Sequence, residues 1–473
     1  MNYKACDFYV ARTPLLPIED YFRIFESGDP AKISSELFTR FKDPFLEETL
    51  AVSSRESYEA LHRLEDPGKS RASDQMLSTL LKYYIRLTTR PTPYGLFSGV
   101  SLGTFGEENH LVLSDADQHV KRARVDMEWL DAVIQKIESI PAVRMALRVR
   151  FNDYVYQQGD RLEKPNKTSL QLNSTDNEVG TTIRYTRQVQ AVQELAKEFI
   201  VFSELLQEMS KRNPDVPLEV IEAFLNQLLE NEFLLSELRP PMVNTDALTY
   251  VLNILAHIEG SGEAEDYRNH LATIQSDIAR YNTDKIGSGL ADFNAITEKM
   301  QSLHKSDNCL QVDLRTNTDC NVLSSRLKQE LEEFVAAMLR ITPEYQVSDE
   351  YATYINQFVE RYGFSAEVPV LELLDIDCGL GAPSYYGQGA VRRPAPQRQE
   401  SQKELRLKRV LKSKTMLALK GGQRSFELTD QDIDYIAGNE TPDRPDAPED
   451  FLPSFELFLM AHPHKNNETQ YAF

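Results

Sequence analysis

Cysteine and long apolar runs are both scarce in this sequence. The four cysteines, Cys6, Cys309, Cys320 and Cys378, are widely scattered and never form a Cys-x-x-Cys pair, so neither a zinc site nor a disulfide framework is indicated. No apolar run reaches the roughly 18 residues that a membrane-spanning helix needs, and the polar N-terminus lacks the pattern of a signal peptide. We therefore predict free structural thiols in a soluble, cytoplasmic protein.

Positive charge is in overall deficit. The chain has 52 lysines and arginines against 73 aspartates and glutamates, a formal net charge of −21, which disfavours indiscriminate binding to nucleic acid or to an anionic membrane. Any contact with RNA must therefore be local. Histidine is rare as well, with 8 in 473 residues. Neither a Ser-His-Asp order nor a histidine cluster is evident, and since His462 and His464 belong only to a polar tail, we assign no metal.

A helix that ends in a proline turn organises the first part of the chain. Apolar residues recur at helical spacing from Met76 through Leu80 to Tyr84, which predicts a helix from about residue 73 to about residue 89. Pro91 disfavours helical geometry in the residue before it, so we expect the helix to stop there.

A row of three cations lies on this predicted helix. Lys82, Arg86 and Arg90 are four residues apart, on the face opposite the apolar stripe. One interpretation is a solvated basic face beside the negative end of the helix dipole. The other is an anion site, because a guanidinium binds carboxylate or phosphate through two hydrogen bonds and a rigid Pro-Thr-Pro turn follows.

The same stretch resembles a family signature. Arg86, Arg90 and the run Thr92-Pro93-Tyr94-Gly95-Leu96-Phe97-Ser98 are similar to the Arg-x-x-x-Arg-x-Thr-Pro-Phe-Gly-Leu-Phe motif of the lantibiotic dehydratases, in their N-terminal, glutamyl-transferring region. The resemblance implies an α+β fold, a mixed helix and sheet glutamylation domain with an inserted winged-helix module. It also implies transfer of glutamate from glutamyl-tRNA to Ser or Thr side chains of a ribosomally made precursor peptide, the first step of their dehydration. No cofactor is implied beyond the glutamyl-tRNA co-substrate.

Three further residues occupy the ends or faces of predicted elements. Arg12 follows a predicted strand at 3–10, Asp126 precedes a predicted helix as its N-cap, and Asp313 lies on the polar side of the alternating run 309–315. By themselves these patterns favour an exposed edge residue, a plain helix cap and an exposed ion pair with the neighbouring arginine.

The resemblance gives these positions a functional interpretation. It implies a catalytic set of Arg86, Arg90, Thr92, Asp126 and Asp313, with Arg12 as a substrate-binding residue. Lys82, which lies in one row with Arg86 and Arg90, is the second predicted substrate-binding residue. The arginines supply positive charge at the tRNA end and near the glutamate carboxylates. Either Asp126 or Asp313 accepts the hydroxyl proton or holds the substrate amine, and the sequence does not decide between them.

Residues 146–240 predict a separate winged-helix-like module, because strands are followed by three short helices, near 188–197, 202–211 and 218–230, and a closing hairpin. The third predicted helix carries Glu219, Glu222 and Glu230 but no lysine or arginine, which disfavours DNA binding. In the family, this place holds the module that recognises the leader of the precursor peptide, which adds a strand to a sheet edge.

A local basic stretch runs from residue 391 to residue 424. It contains eleven lysines and arginines against two glutamates, a local excess of +9. A solvated linker or helix surface is one interpretation, and we expect residues 387–398 to be disordered. The other is a footprint for the RNA backbone, which the resemblance favours. The predicted tRNA-binding residues are Arg406, Lys408, Arg409, Lys412 and Lys414.

These observations predict three domains, since single cores stop growing near roughly 250 to 300 residues. They are a first glutamylation part at 1–145, the leader-peptide module at 146–240, and a second glutamylation part at 241–473 that includes the basic segment 387–424. Within the last range, the apolar run 370–374 predicts a strand or a buried turn.

The expected partners follow from the resemblance. They are a precursor peptide with its leader, glutamyl-tRNA, a cyclase, a second copy of the chain, and a separate elimination-domain protein, because family members continue into an elimination domain that this sequence lacks. Two alternative functions stay open. In the first alternative, the chain is a non-catalytic leader-binding subunit or a truncated remnant that needs a partner. In the second, it is a peptide ligase that uses another aminoacyl-tRNA.

Overall fold

The computed structural model describes residues 3–64, 71–164, 181–241, 243, 246–258, 260–342, 349–383, 400–438, 454–463 and 469–472. This part of the chain combines helices and sheets, so the predicted α+β fold is confirmed. The segment predicted to be disordered, 387–398, and the side chains of His462 and His464 lie outside the described residues. Among the described helices, none combines the length and the apolar character that crossing a membrane requires.

The largest sheet contains six strands. The strands of the described residues are β1 (Phe8–Pro14), β2 (Ser98–Gly106), β3 (His110–Leu113), β4 (Val120–Val125), β5 (Arg148–Phe151), β6 (Tyr156–Gln158), β7 (Arg161–Lys164), β8 (Thr181–Arg184), β9 (Ile200–Val201), β10 (Leu234–Ser236), β11 (Leu310–Arg315), β12 (Thr318–Ser324), β13 (Met460–Pro463) and β14 (Thr469–Ala472). The large sheet has the order β3-β12-β2-β11-β4, and β1 pairs with β2. β11 runs antiparallel to β4 and parallel to β2.

Helices make up most of the remaining structure. Those of the described residues are α1 (Ile18–Phe25), α2 (Pro30–Arg40), α3 (Pro44–Ser53), α4 (Arg55–His62), α5 (Arg71–Thr89), α6 (Met127–Ser139), α7 (Pro141–Ala146), α8 (Arg187–Leu195), α9 (Phe202–Arg212), α10 (Leu218–Glu230), α11 (Ala247–Leu255), α12 (Gly262–Tyr281), α13 (Leu290–Leu303), α14 (Ser325–Ile341), α15 (Asp349–Tyr362), α16 (Val370–Leu374), α17 (Gln402–Lys420) and α18 (Asp430–Ala437). The helix predicted over 73–89 is α5, which ends at Thr89 as expected.

The chain folds as two compact units. The larger unit consists of Val10–Gly103 and Leu111–Asn321, and the smaller unit consists of Met1–Tyr9, Thr104–His110 and Val322–Phe473. The predicted ranges 1–145 and 241–473 each contribute residues to both units, and the three-domain division stays a prediction.

In the larger unit, the two faces of the large sheet differ in environment. Alternate residues of β4 and β11 are buried among the helices, including Ala123, Val125, Val312 and Leu314. The residues between them are exposed and form what we call the open face, made of Arg122, Arg124, Gln311, Asp313 and Arg315. The alternation predicted for 309–315 is therefore confirmed, and the sheet separates an apolar side from a charged side.

The edge of β4 is closed by a side chain in place of a strand. The Ala123 amide donates to Asn282 Oδ1 at 2.6 Å, and Asn282 Nδ2 donates to the Ala123 carbonyl at 3.1 Å. The asparagine thus satisfies the peptide groups that a further strand would pair with, which fixes β4 as the last strand of the sheet.

The module predicted at 146–240 has its own hydrophobic core inside the larger unit. Buried side chains such as Val149, Phe202, Leu225 and Leu234 form it. The three predicted helices are present as α8, α9 and α10, together with the sheets β10-β5-β9 and β6-β7-β8. The closing element differs from the predicted hairpin, because β10 pairs with β5 from the start of the module.

In the smaller unit, β12 runs parallel to β2, with Val322 opposite Thr104. Ile341, Val410 and Ile436 form a small core among α14, α17 and α18. The prediction of a strand or buried turn at 370–374 is wrong. The segment is the short helix α16, whose Val370 is 65% exposed. A short apolar run carries too little periodicity to separate a strand from a helical turn.

Candidate active site

The turn after α5 is held in one shape by a glycine and a hydroxyl group. Gly95 has a φ of +52°, and a Cβ at this position would meet the Ser53 side chain, so the turn needs glycine. The Ser98 hydroxyl donates to the Thr92 carbonyl across the turn. The proline-glycine stretch of the signature is therefore a fixed corner between α5 and β2.

Arg86 lies partly inside this corner. Its guanidinium Cζ is 4.4 Å from the centre of the Tyr94 ring, a cation–π contact. Its Nε is buried, and among the described residues it has no hydrogen-bond partner. The interpretation as a fully solvated basic face therefore fails for Arg86. Its guanidinium is held in place without a carboxylate partner in the described part of the chain, as a site for an external anion requires.

The other members of the cation row are more open. Lys82 and Arg90 are exposed, and so is the Thr92 side chain. Arg90 lies just beyond the end of α5, but its amide still donates to the Arg86 carbonyl at 3.1 Å, so the turn of the helix continues to it. The predicted row of cations is present at the end of α5.

The end of β1 is tied to the same corner. The Leu15 amide donates to the Phe97 carbonyl and the Leu16 amide to the Leu87 carbonyl, both at 3.0 Å. Arg12 is exposed on β1 just before these contacts. Because β1 pairs with β2, Arg12 and the corner lie at one end of the sheet.

Asp126 is the N-cap of α6, as predicted. Its Oδ1 accepts a hydrogen bond from the Glu128 amide at 2.9 Å, and its side chain is half-buried. Its own amide donates to the Cys309 carbonyl at 2.8 Å, which places it beside the start of β11. Burial, followed by the charge of Asp126, raises the pKa of the Cys309 thiol to about 11, so this cysteine is a neutral thiol next to the carboxylate.

Asp313 lies on the open face and is paired there. Its carboxylate forms an ion pair with the Arg124 guanidinium of the neighbouring strand. Asp313 lies four positions after Cys309, the residue beside Asp126, which is about 13 Å of extended chain. The two aspartates therefore do not form a carboxylate dyad that could share one proton.

Three arginines of the open face were not predicted as functional residues. Arg122 lies directly opposite Asp313, Arg124 binds it, and Arg315 follows two residues later on the same side of β11. The alternation of polar and apolar residues in β4 and β11 already indicated that these arginines are exposed. The sequence did not indicate that the two strands pair, because they lie far apart in the chain.

Of the five predicted tRNA-binding cations of the smaller unit, four have partners in the part of the protein that the structure describes and one does not. Arg406 donates to the Ile436 and Ala437 carbonyls, Arg409 to the Tyr435 hydroxyl, and Lys414 to the Glu427 carbonyl, so these three hold α18 and the loop before it. Lys408 pairs with Glu400 and Glu404. Lys412 is exposed, and no partner contacts it within the described residues. One of the five is fully available to a ligand.

Comparison with known proteins gives a family match over most of the chain. A family model described as "Lantibiotic dehydratase, N terminus" matches residues 42–465. Subtilin biosynthesis protein SpaB of Bacillus subtilis is 30% identical over 393 residues, which cover 81% of this chain and 36% of SpaB. Nisin biosynthesis protein NisB of Lactococcus lactis subsp. lactis is 26% identical over 398 residues, covering 81% and 37%. The chain thus spans less than half the length of these relatives.

Solved structures match the fold. The crystal structure of the tRNA-dependent lantibiotic dehydratase MibB from Microbispora sp. 107891 aligns with a TM-score of 0.74 and 25% identity, over 92% of this chain and 40% of that one. The glutamylation domain TbtB from thiomuracin biosynthesis aligns with a TM-score of 0.55 and 16% identity, over 83% and 49%. The second match bears on the fold alone.

Proposed function

The chain belongs to the lantibiotic dehydratase family, of which it represents the N-terminal region, and on that premise we propose that it transfers glutamate from glutamyl-tRNA to serine and threonine side chains of a precursor peptide. The observation that carries the proposal is the corner at the end of the sheet. There Arg86, held over Tyr94 without a carboxylate partner in the described part, lies next to Arg90 and Thr92. The description of MibB as tRNA-dependent supports RNA as the donor.

The reaction is an exchange of esters. The peptide hydroxyl oxygen attacks the carbonyl carbon of the glutamyl ester, and the new C–O bond replaces the bond to the RNA ribose. The hydroxyl proton ends on the ribose oxygen. Negative charge develops on the carbonyl oxygen during the attack, and a fixed guanidinium such as that of Arg86 stabilises it in the transition state more than in the ground state.

The two aspartates take different roles in this proposal. Asp126 Oδ1 is used by the helix cap, while Oδ2 has no donor within the described residues, so it is the candidate acceptor for the hydroxyl proton. Asp313 is occupied by Arg124 and acts by orienting that arginine. Exposed Arg12 and Lys82 bind the charged groups of the substrates.

The module at 146–240 binds the leader of the precursor peptide. Its short outer strands leave sheet edges to which an extended peptide can add. Large apolar side chains stand exposed near these edges, with Tyr154 75% and Phe199 47% exposed, and they offer apolar surface to the side chains of the added strand. The acidic helix α10 makes DNA an unsuitable ligand.

The remaining partners stay proposals. Lys412 on α17 contacts the RNA backbone, and a cyclase or a second copy of the chain joins the complex. No cofactor beyond glutamyl-tRNA takes part.

Mass spectrometry tests the transfer directly. The purified chain is incubated with glutamyl-tRNA and a precursor peptide that has serine and threonine, and we expect a glutamyl adduct on the peptide. Glutaminyl-tRNA, which carries glutamine in place of glutamate, and uncharged tRNA serve as controls. If no adduct forms while the leader still binds, the chain is a leader-binding subunit that needs a partner. An adduct from another aminoacyl-tRNA instead would assign it to a different ligase.

A further inference from the structure

The open face of β4 and β11 surrounds one aspartate with three arginines. Asp313 lies directly opposite Arg122, and Arg124 forms the ion pair with it. Arg315 follows Asp313 by two residues on β11. Because side chains two positions apart on a strand point to the same side, all four stand together on the open face.

One carboxylate leaves this cluster with an excess of positive charge. Arg124 forms an ion pair with the Asp313 carboxylate, and within the described part of the chain no acidic side chain forms an ion pair with Arg122 or Arg315. Both are exposed. A local excess of two positive charges stands out in a chain whose formal net charge is −21. A concentration of guanidinium groups on an acidic protein attracts an anionic ligand to that place.

The spacing of the guanidinium groups selects the kind of anion. Arg122 and Arg124 are about 7 Å apart along β4. Arg315 lies diagonally across from Arg122, roughly 7 to 8 Å away. One guanidinium group is enough to bind a single carboxylate through two hydrogen bonds. Three guanidinium groups spread over this area instead match a row of separate anions. A phosphodiester backbone is such a row.

We propose that Arg122, Arg124 and Arg315 hold successive phosphates at the aminoacylated end of the tRNA. The inference rests on the proposed function and adds to it the residues that position the donor. On β4 the arginines lead directly to Asp126, two residues beyond Arg124. RNA bound along this strand therefore brings its acylated end toward the candidate proton acceptor. Arg124 is oriented by Asp313, which makes Asp313 a positioning residue.

Direct binding measurements test this assignment without relying on the transfer reaction. Uncharged and glutamylated tRNA are titrated against the wild-type chain and the double variant Arg122→Gln/Arg315→Gln by fluorescence anisotropy at several salt concentrations. We expect both RNAs to bind the variant roughly tenfold more weakly at low salt. The slope of log affinity against log salt should fall by about 1.4, because each phosphate contact to single-stranded RNA contributes about 0.7.

Three further variants separate the role of charge from damage to the strands. Arg71→Gln removes an exposed arginine from the start of α5 and should bind RNA as the wild type does. Arg122→Lys/Arg315→Lys keeps both charges and should recover most of the affinity. Asp313→Asn keeps the shape of the side chain but removes the ion pair that orients Arg124, so RNA binding should weaken about two- to threefold.

The outcomes are distinguishable. If the wild-type chain binds tRNA and the glutamine variant binds it equally well, the arginine face is not the RNA site while the proposed function stands. Weaker binding of glutamyl-tRNA alone would mean that the guanidinium groups grip the amino-acid carboxylate, which overturns the phosphate assignment. Loss in the lysine variant equal to that in the glutamine variant would also overturn it. A wild-type chain that binds neither RNA refutes the proposed function and this inference together.

Discussion

Glu48 and Lys121 form an ion pair without any exposure to solvent, with both side chains 0% exposed. The Glu48 carboxylate also accepts hydrogen bonds from the Tyr281 hydroxyl at 2.9 Å and from the Gly287 and Gly289 amides at 2.7 and 3.0 Å. Lys121 lies over the Tyr281 ring, with Nζ 3.8 Å from its centre. Burial, and then the charge of Glu48, raise the pKa of the Tyr281 hydroxyl well above its ordinary value. This cluster fixes β4, whose next residue is Arg122.

Removing one partner of this pair should be costly. We expect Glu48→Ala to lower the free energy of unfolding by about 3 to 5 kcal/mol, because Lys121 is left as an uncompensated buried charge. Urea denaturation followed by circular dichroism measures the change. The neighbouring Glu47→Ala is the control, since Glu47 pairs with a His62 that is 43% exposed, and a loss of at most about 1 kcal/mol is expected there. Equal losses in both variants would contradict the role given to the buried pair.

At the scale of elements, the cations of α17 divide between those that contact α18 and one that is exposed. Its inward side chains attach α18, as Arg406 does by donating to two carbonyls at the end of that helix, at 3.1 and 3.4 Å. Its outward side carries Lys412, which is exposed. Fewer of the cations of α17 are therefore accessible to a ligand than the number of lysines and arginines in the helix suggests.

Substitution of these two cations should have different effects. We expect Arg406→Gln to lower the melting temperature by several degrees, because two partly buried carbonyls lose a charged donor, and to change tRNA affinity little. Lys412→Gln should leave the melting temperature unchanged and reduce the salt dependence of tRNA binding by about one phosphate contact. Thermal unfolding and anisotropy titrations of the two proteins decide this. Unaltered RNA binding by Lys412→Gln would remove α17 from the proposed RNA site.

For the whole molecule, the central question is whether catalysis and leader recognition are separable. Arg86 lies on α5, whose Tyr84 belongs to the core that also contains Phe97. The module at 146–240 has a different core, which contains Val149 and Phe202. Within the larger unit, the two proposed functions thus lie on separate groups of buried residues.

We therefore expect Arg86→Ala to abolish glutamyl transfer and to leave leader affinity unchanged within about twofold. Mass spectrometry of the peptide and isothermal titration with a synthetic leader measure the two quantities. Phe199→Ala, in the module, is the complementary variant and should weaken leader binding while a leader-independent reaction persists. Loss of both properties in a folded Arg86→Ala protein would show that the two cores do not act separately.

The sequence by itself determined the features that depend on neighbouring residues. The limits of α5, the cap at Asp126 and the alternation of β11 follow from helical spacing, side-chain acceptance of free amides and period-two burial, each decided within a few residues. The signature around Gly95 was equally local, and it led to the family that the comparisons confirm.

Only the tertiary structure decided which of these residues meet. Asp313 belongs with Arg122 and Arg124 because β11 pairs with β4 in one register, and a chain separation of about 190 residues contains no local signal for that register. The same holds for α17, whose cations are used by a helix that follows it in the chain. Local energies specify each element, whereas strand pairing and helix packing select among many distant partners, and that selection is what places charge at the site.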